Sequence, residues 1–493
     1  MGYYMNKKGG KSRILIILMT VIILIAAVPW YFIISGNLNR DTTAEPTPPT
    51  DGSTAAEDVP PVEETPPPEI EPTPTPTPPP ETEQMDDITV PVEYIVVDIA
   101  TEHRELFVEL NALAAEYNCV SVSLTAFDGR TGEYFTYVFG QADTATRRSA
   151  DVDTKYRIAS LAKLTTVICA MVLVDAGLID LDADISLYLG YEVQNTNFPG
   201  TPLTTRMLMQ HTSSIFDSGA FQSSRDRGST DSLRVLLERG SSFRRNQPGS
   251  HFEYTNFGYA VLGAVIENVA GKSLDTYARE VLFDRLDIDA GYVPHKMRDT
   301  ENIAVIYNDS HTVTRSVESQ LDTDESEVLG HDLHLAQGNL TISVIDYARI
   351  LVMLKNGGIL GDARILSPGA VRAMHNVDVE GVAYEQGLAT RHSFGDFMPD
   401  EGFFWHTGSA YGLFSQYVYC ADLNSNRGVV VATVGATTGR EPSGMVSVCT
   451  DLSVLVWRVL GFSGEDELTP REIREELQRL DEELDEEEPE QDE

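Results

Sequence analysis

Residues 41–92 hold fifteen of the chain's 25 prolines, in runs such as "PTPTPTPPPETE". Each proline locks its own φ and removes a backbone donor, so this density forbids helix and sheet and favours extended polyproline II. The same stretch carries thirteen Asp/Glu and no Lys/Arg. It therefore splits the 493-residue chain. Anything that packs must lie beyond it, and residues 35–92 read as a disordered linker. At ~3.1 Å per residue, the 52 residues of 41–92 would reach ~160 Å as a stalk; a tether of no particular reach is the plainer reading.

Before the linker, Ile14 to Ile34 forms an uncharged run of about twenty residues, long enough to span a bilayer as a helix. Lys7, Lys8, Lys11 and Arg13 precede it, which predicts a cytoplasmic segment 1–13, a transmembrane signal anchor 14–34 and export of everything after it. A cleaved signal peptide is the rival, with Ala26-Ala27 as small residues, but the run continues through Trp30, Tyr31 and Phe32, which suit an interfacial anchor. Formal charge is −40 overall. The last segment, 464–493, has sixteen acids against Arg471, Arg474 and Arg479. The middle of the chain stays acidic too, a surface that repels nucleic acid and excludes that partner class. Thr469-Pro470-Arg471-Glu472 in the tail is a capping box, and Ile473, Leu477, Leu480 and Leu484 make a narrow stripe. The tail reads as an acidic, partly helical segment whose partner, if any, the sequence does not name. Cys119, Cys169, Cys420 and Cys449 form no CxxC pair and sit in apolar contexts, which points to buried free thiols rather than a zinc site.

From 93 to 463 the composition is that of a packed domain. "EHRELFVELNALAAEYN" carries a helical stripe of Leu106, Leu110, Leu113 and Tyr117. "VSVSLTAFD" and "YFTYVFG" read as strands joined by "GRTGEY"; "GLFSQYVYCADL" and "RGVVVATVG" are two more, joined by "NSNRG". Several helical segments lie between, including 257–270, which stops at Gly271. Strands at both ends with a helix-rich middle predict an α+β fold: an antiparallel sheet flanked by helices, plus a mostly helical domain.

Within that middle, "RIASLAKLTT" places Ser160 and Lys163 three residues apart near the start of an apolar helix, on one face. A serine hydroxyl is a weak nucleophile until a neighbour takes its proton, and a buried lysine can do so if burial lowers its pKa. A Ser-x-x-Lys match alone arises by chance about once or twice in 500 residues. "YTN", Tyr254-Thr255-Asn256, directly precedes a helix; Tyr254 can shuttle protons and Asn256 can hold a substrate amide or the lysine, or Asn256 simply caps the helix. "WHTGSAYG" contains His406, Thr407, Gly408 and Ser409 ahead of a strand: Gly408 lets a substrate backbone approach closely, His406 adds polarity or charge beside the site and the Ser409 N–H suits an oxyanion, or the segment is an ordinary turn.

Taken in order, Ser-x-x-Lys, Tyr-x-Asn and His-Thr-Gly resemble the class C serine β-lactamase and DD-peptidase family of penicillin-recognising enzymes. The flanks "DTKYRIASLAKLTT", "LTTRMLMQHTSS", "PGSHFEYTNFGYAVLGAVIENVAGKSLDTYA" and "GNLTISVIDYARILVMLKNGG" are similar as well, and the resemblance runs from about 105 to 462. It implies that Ser160 is the acylated nucleophile, that Lys163 and Tyr254 share proton transfer, and that Asn256 orients substrate and lysine. His406, Thr407 and Gly408 would line the substrate-binding strand, and the N–H groups of Ser160 and Ser409 would form the oxyanion hole. No metal or other cofactor is expected.

Three departures stand out. Lactamases of the family usually carry lysine where His406 stands; a histidine, which titrates near neutrality, is similar to the DD-carboxypeptidases and D-amino-acid peptidases. Ser214 replaces the glycine of an "HTSG" stretch and could alter a loop beside the cleft. Asn339 replaces the second glycine of "GGL", which Asn's tolerance of φ > 0 would excuse. The expectation is a membrane-anchored extracytoplasmic serine hydrolase acting on D-Ala-D-Ala peptides of peptidoglycan stems. The rivals are a β-lactamase, an esterase or D-aminopeptidase on the same site, and a non-catalytic sensor that binds β-lactams or muropeptides.

Overall fold

The computed structural model describes residues 94–462, except 228–232, 381–383, 395–401 and 423–424. The segments 1–13, 14–34, 35–92 and 464–493 discussed above lie outside the described residues. Among those described, no helix is long and apolar enough to cross a membrane.

One large sheet organises the molecule. Its main strands are β1 (Ile95–Asp98), β2 (Ser121–Asp128), β3 (Glu133–Asp143), β4 (Arg391–Ser393), β5 (Phe403–Ala410), β6 (Leu413–Cys420) and β7 (Arg427–Val434), in the order β1-β3-β2-β7-β6-β5-β4. Two-residue strands at Glu385–Gln386 and Val379–Glu380 continue the β4 edge. β2 pairs with β7, Leu124 opposite Val431, so the strands read at the two ends of the sequence meet in mid-sheet. The expected antiparallel sheet is in fact mixed, because β1 runs parallel to β3, with Ile95 opposite Glu133. β1 leads into a helix rather than a hairpin, and only a hairpin obliges the next pairing to be antiparallel.

Strand alternation sorts the side chains into two cores. On β7, Val429 and Val431 face helices α1 (Arg104–Glu116) and α5 (Ser447–Val459). Val430, Ala432 and Val434 face the opposite core, to which α2 (Ala162–Asp175), α3 (Asn256–Ala270) and α4 (Val344–Lys355) belong. Both faces are covered, and every residue of β2 is buried. In α1 the predicted stripe holds: Leu106 and Leu110 are buried, with Leu113 and Tyr117 packed alongside. α2 is buried on all sides from Ala162 to Met171, as a helix inside a core must be. α3 ends at Gly271 with φ +65°, the left-handed C-terminal stop that glycine permits. All four cysteines are buried and unbonded, and burial pushes the thiols of Cys119 and Cys169 up to about 12.

Candidate active site

The site forms where the start of α2 meets β5. A single 3₁₀ turn, Ala159–Leu161, carries Ser160 into the helix and leaves it partly exposed. Ala159 has φ +51°, a left-handed conformation that costs an L-residue roughly 1 kcal/mol or more and persists only where its surroundings enforce it. The enforcing contacts are visible. The Ile158 N–H donates to Leu340 O at 3.0 Å, and Ser415 Oγ on β6 donates to Ile158 O at 2.8 Å. Gly408 on β5 passes directly over the turn: a Cβ there would sit 2.5 Å from Ile158 O and 3.2 Å from Ser160 N. The close approach at Gly408, expected of a substrate backbone, is made instead by the turn that carries Ser160.

Lys163, fully buried in the first turn of α2, donates to Ser160 Oγ at 3.3 Å, Asn256 Oδ1 at 2.9 Å and Gln337 O at 2.6 Å. Its three donors meet three acceptors, and no carboxylate among the described residues pairs with it. Tyr254 OH lies 2.9 Å from Ser160 Oγ on the other side, so the hydroxyl is held between phenol and amine. The ammonium also sits 5.0 Å from the Tyr254 ring and 5.2 Å from the Tyr259 ring.

Thr255, not Asn256, caps α3, its hydroxyl accepting from Gly258 N. That frees the Asn256 amide for Lys163. Asp217 fixes which way the amide points: its carboxylate accepts from Asn256 Nδ2 at 2.9 Å, Asn256 N at 2.8 Å, Phe257 N at 2.8 Å and Thr255 Oγ1 at 3.0 Å. With Nδ2 committed to a carboxylate, Oδ1 must face the lysine. Asp217, like Gln337, belongs to no motif recognised in the sequence, and a carboxylate in the loop "IFDSG" gives no local signal of its contact with α3.

His211 lies within the quoted "LTTRMLMQHTSS" but has no role assigned from sequence, and Arg391 belongs to no recognised motif. The His211 ring stacks on Tyr254 with centroids 4.4 Å apart; its Nδ1 accepts from Thr255 N at 3.1 Å, and Nε2 is buried without a partner among the described residues. Burial, then the charges of Lys163 and Arg391, hold its pKa well below the usual histidine value. Arg391 on β4 is 8% exposed and has no ion pair among the described residues, and its buried Nε has no hydrogen-bond partner. Its guanidinium instead lies over the rings of Tyr384 (4.5 Å), Trp405 (5.0 Å) and Tyr254 (5.7 Å).

On β5 the parity of the strand puts His406 and Gly408 on the Ser160 face and Thr407 on the face of Trp405. The Thr407 hydroxyl makes no hydrogen bond among the described residues, so the structure does not bring it to Ser160 as it brings Tyr254 and Lys163. Ser409 is exposed at the strand's end. His406 departs from expectation. It is 2% exposed, Nδ1 donates to Thr407 O at 2.8 Å, and burial first, then Arg391 and Lys163, hold its pKa well below 6.5. It is a neutral ring at physiological pH, not a group that titrates near neutrality.

The other two departures also resolve. Ser214 stands at φ +64°, where glycine would be unstrained, and its Oγ accepts from Asn195 Nδ2 at 2.9 Å. Asn339 has φ −102°, so no left-handed conformation requires it. It is there as a linker: Oδ1 accepts from Arg157 Nε at 2.7 Å and Nδ2 donates to Tyr292 O at 2.8 Å.

Comparison with known proteins bears on the family and the fold. The family model described as Beta-lactamase matches residues 104–445. Penicillin-binding protein 4 of Amycolatopsis lactamdurans is 25% identical over 326 residues, covering 64% of this chain and 81% of its own. Protein flp of Staphylococcus aureus (strain N315) is 29% identical over 142 residues, so the chain spans only 28% of that relative's length. The octameric penicillin-binding protein homologue from Pyrococcus abyssi superposes with a TM-score of 0.59 at 20% identity, covering 75% of this chain and 79% of that one, a likeness of fold. With the matched segment spanning nearly all of the sheet and both motif-bearing helices, the chain belongs to the beta-lactamase family of serine hydrolases and penicillin-binding proteins.

Proposed function

We propose that this protein is a membrane-anchored, extracytoplasmic serine hydrolase that forms an acyl-enzyme on Ser160 and acts as a carboxypeptidase on D-Ala-D-Ala peptides of the cell wall. The observation that carries the reading is Ser160 Oγ held at 2.9 Å from Tyr254 OH and 3.3 Å from Lys163 Nζ. Ser160 Oγ attacks the scissile carbonyl. Its proton passes to Tyr254, which hands its own to the leaving nitrogen, so the net transfer runs from serine to leaving group. Lys163 sets positive charge beside the developing charge on Oγ, held there by Asn256 and Gln337. The N–H groups of Ser160 and Ser409 receive the oxyanion. Water then repeats the relay in reverse and frees the enzyme. Arg391 supports a leaving group that ends in a carboxylate, because His406, where lactamases of the family carry lysine, is neutral. The apolar run at 14–34 and the proline-rich 35–92 support the anchored topology.

A fluorescent penicillin should label the full-length protein in membranes, and Ser160→Ala should cut labelling and turnover to below about a thousandth. Equal labelling of both proteins would remove Ser160 from the mechanism. Release of D-Ala from a Lys-D-Ala-D-Ala peptide, measured beside nitrocefin turnover, separates carboxypeptidase from β-lactamase: fast nitrocefin hydrolysis without D-Ala release reverses the order. Protease added to intact cells should remove the catalytic domain; protection contradicts the topology.

A further inference from the structure

A cavity of about 770 Å³ is lined by Ser160, Asn256 and Gln337 but not by Tyr254, His406 or Arg391. Its walls include Ser160, Asn339 and the end of β5, together with Arg157, Arg315 and Tyr411. Since Tyr254 delivers the proton to the leaving group, the leaving group lies on its side of the nucleophile. The part of the substrate that stays on the enzyme must then point into this cavity.

Three observations bear on what that part is. Tyr411, at the tip of the β5–β6 hairpin, has φ +61° and is 45% exposed. A bulky residue in the left-handed region is a backbone outlier, and such strain is kept where the side chain's position matters. Next, the ring is held between two arginines: the guanidinium of Arg315 lies 3.7 Å from its centroid and that of Arg157 lies 5.1 Å away. Finally, Arg315 makes no ion pair among the described residues, its Nη1 donating only to Thr314 O. Asp324 on the cavity's rim is exposed and faces His295 instead.

The assembly is braced from both sides. Asn339 holds Arg157 at 2.7 Å, and Thr314 Oγ1 donates to Tyr411 O at 2.6 Å, tying the segment before Arg315 to the hairpin. Both arginines pack on the Tyr411 ring and line the cavity: Arg157, tied through Nε to Asn339, steadies the ring, and the guanidinium edge of Arg315 matches a carboxylate in bidentate fashion.

We propose that the Arg157–Tyr411–Arg315 sandwich is a carboxylate-binding subsite for the acyl portion of the substrate, so that this enzyme selects acyl donors bearing a free acid over their amides. The proposal rests on the reading of Ser160 as the acylated nucleophile, which fixes the two sides of the cleft. The test uses two synthetic dipeptide esters that differ only in an N-glutaryl carboxylate or its carboxamide. The full-length protein should hydrolyse the carboxylate ester with a kcat/KM about tenfold to a hundredfold higher, mainly through KM, and Arg315→Met should bring the two within about threefold. Equilibrium binding of the same pair to Ser160→Ala protein reads the subsite without turnover: tighter binding of the carboxylate, weakened by salt and lost in Arg315→Met, supports it. Equal binding of acid and amide overturns the subsite, whatever the outcome for hydrolysis. If acid binds preferentially but neither ester is cleaved by the wild type, the subsite stands and the nucleophile assignment falls.

Discussion

The two walls of the cleft both carry arginine, yet they treat its charge in opposite ways. On the Tyr254 side, Arg391 is 8% exposed and lies against aromatic rings, where its charge helps hold His406 and His211 neutral. On the Tyr411 side, Arg315 and Arg157 line an open cavity and screen against solvent. A charge in low dielectric acts on the chemistry of its neighbours; a charge at a wet surface acts on what approaches. On the proposed mechanism, the first wall sets protonation and receives the leaving group, and the second chooses the acyl group.

The sharpest way to break this division is at the point where the walls meet. Gly408→Ala would push a Cβ into Ile158 O and displace the Ser160 turn; kcat/KM should drop about a hundredfold for every substrate alike, and the thermal midpoint should fall with the overpacking. A substrate-dependent loss would mean that Gly408 belongs to one wall only. Arg391→Met addresses the buried wall. Loss of a charged hydrogen-bonding partner should lower kcat/KM about tenfold to a hundredfold for peptides ending in a free carboxylate, while a neutral ester is spared. The variant also tests pH behaviour. In the wild type His406 and His211 are already neutral above their depressed pKa values, so kcat/KM should show no step near pH 6.5. Removing Arg391 takes away a positive charge that lowers both, so any histidine limb must move up in pH; a downward shift would contradict the arrangement. The smallest effect belongs to the open wall: Asn339→Ala releases Arg157 and should raise KM about twofold to fivefold for acidic acyl donors alone, with kcat unchanged.

Much of this site could be read from local sequence, and the limits follow from what local sequence encodes. Ser160 and Lys163 share a helix face, and Tyr254 and Asn256 lie at a helix start, so short-range geometry with the family's motif order brought them forward. Asp217, Gln337, His211 and Arg391 act across contacts between segments far apart in the chain, and each sits in a stretch that would serve equally well as a loop, a cap or a strand. The same holds for the fold. Long alternating strands such as Ser121–Asp128 announce themselves, whereas the two- and three-residue strands at the β4 edge and the parallel β1 exist only because a neighbouring strand offers them hydrogen bonds. His406 shows the limit from another direction: its residue type suggested a titrating group, and only the packing around it reveals a neutral one.

Helices α1 and α5 pack together on the face of the sheet that does not carry Ser160. Beside them, the ring of Phe462 lies 6.4 Å from Phe135, whose partner across the sheet is Val97. The beginning and end of the described chain thus come within reach of one another, and the backbone is close to a closed ring. A circular permutant that joins those ends through a short bridge and opens at a surface loop elsewhere would keep every strand pairing around the nucleophile. The order of the three motifs along the sequence is then a matter of where the ring happens to be cut, while their meeting in space is what the fold preserves.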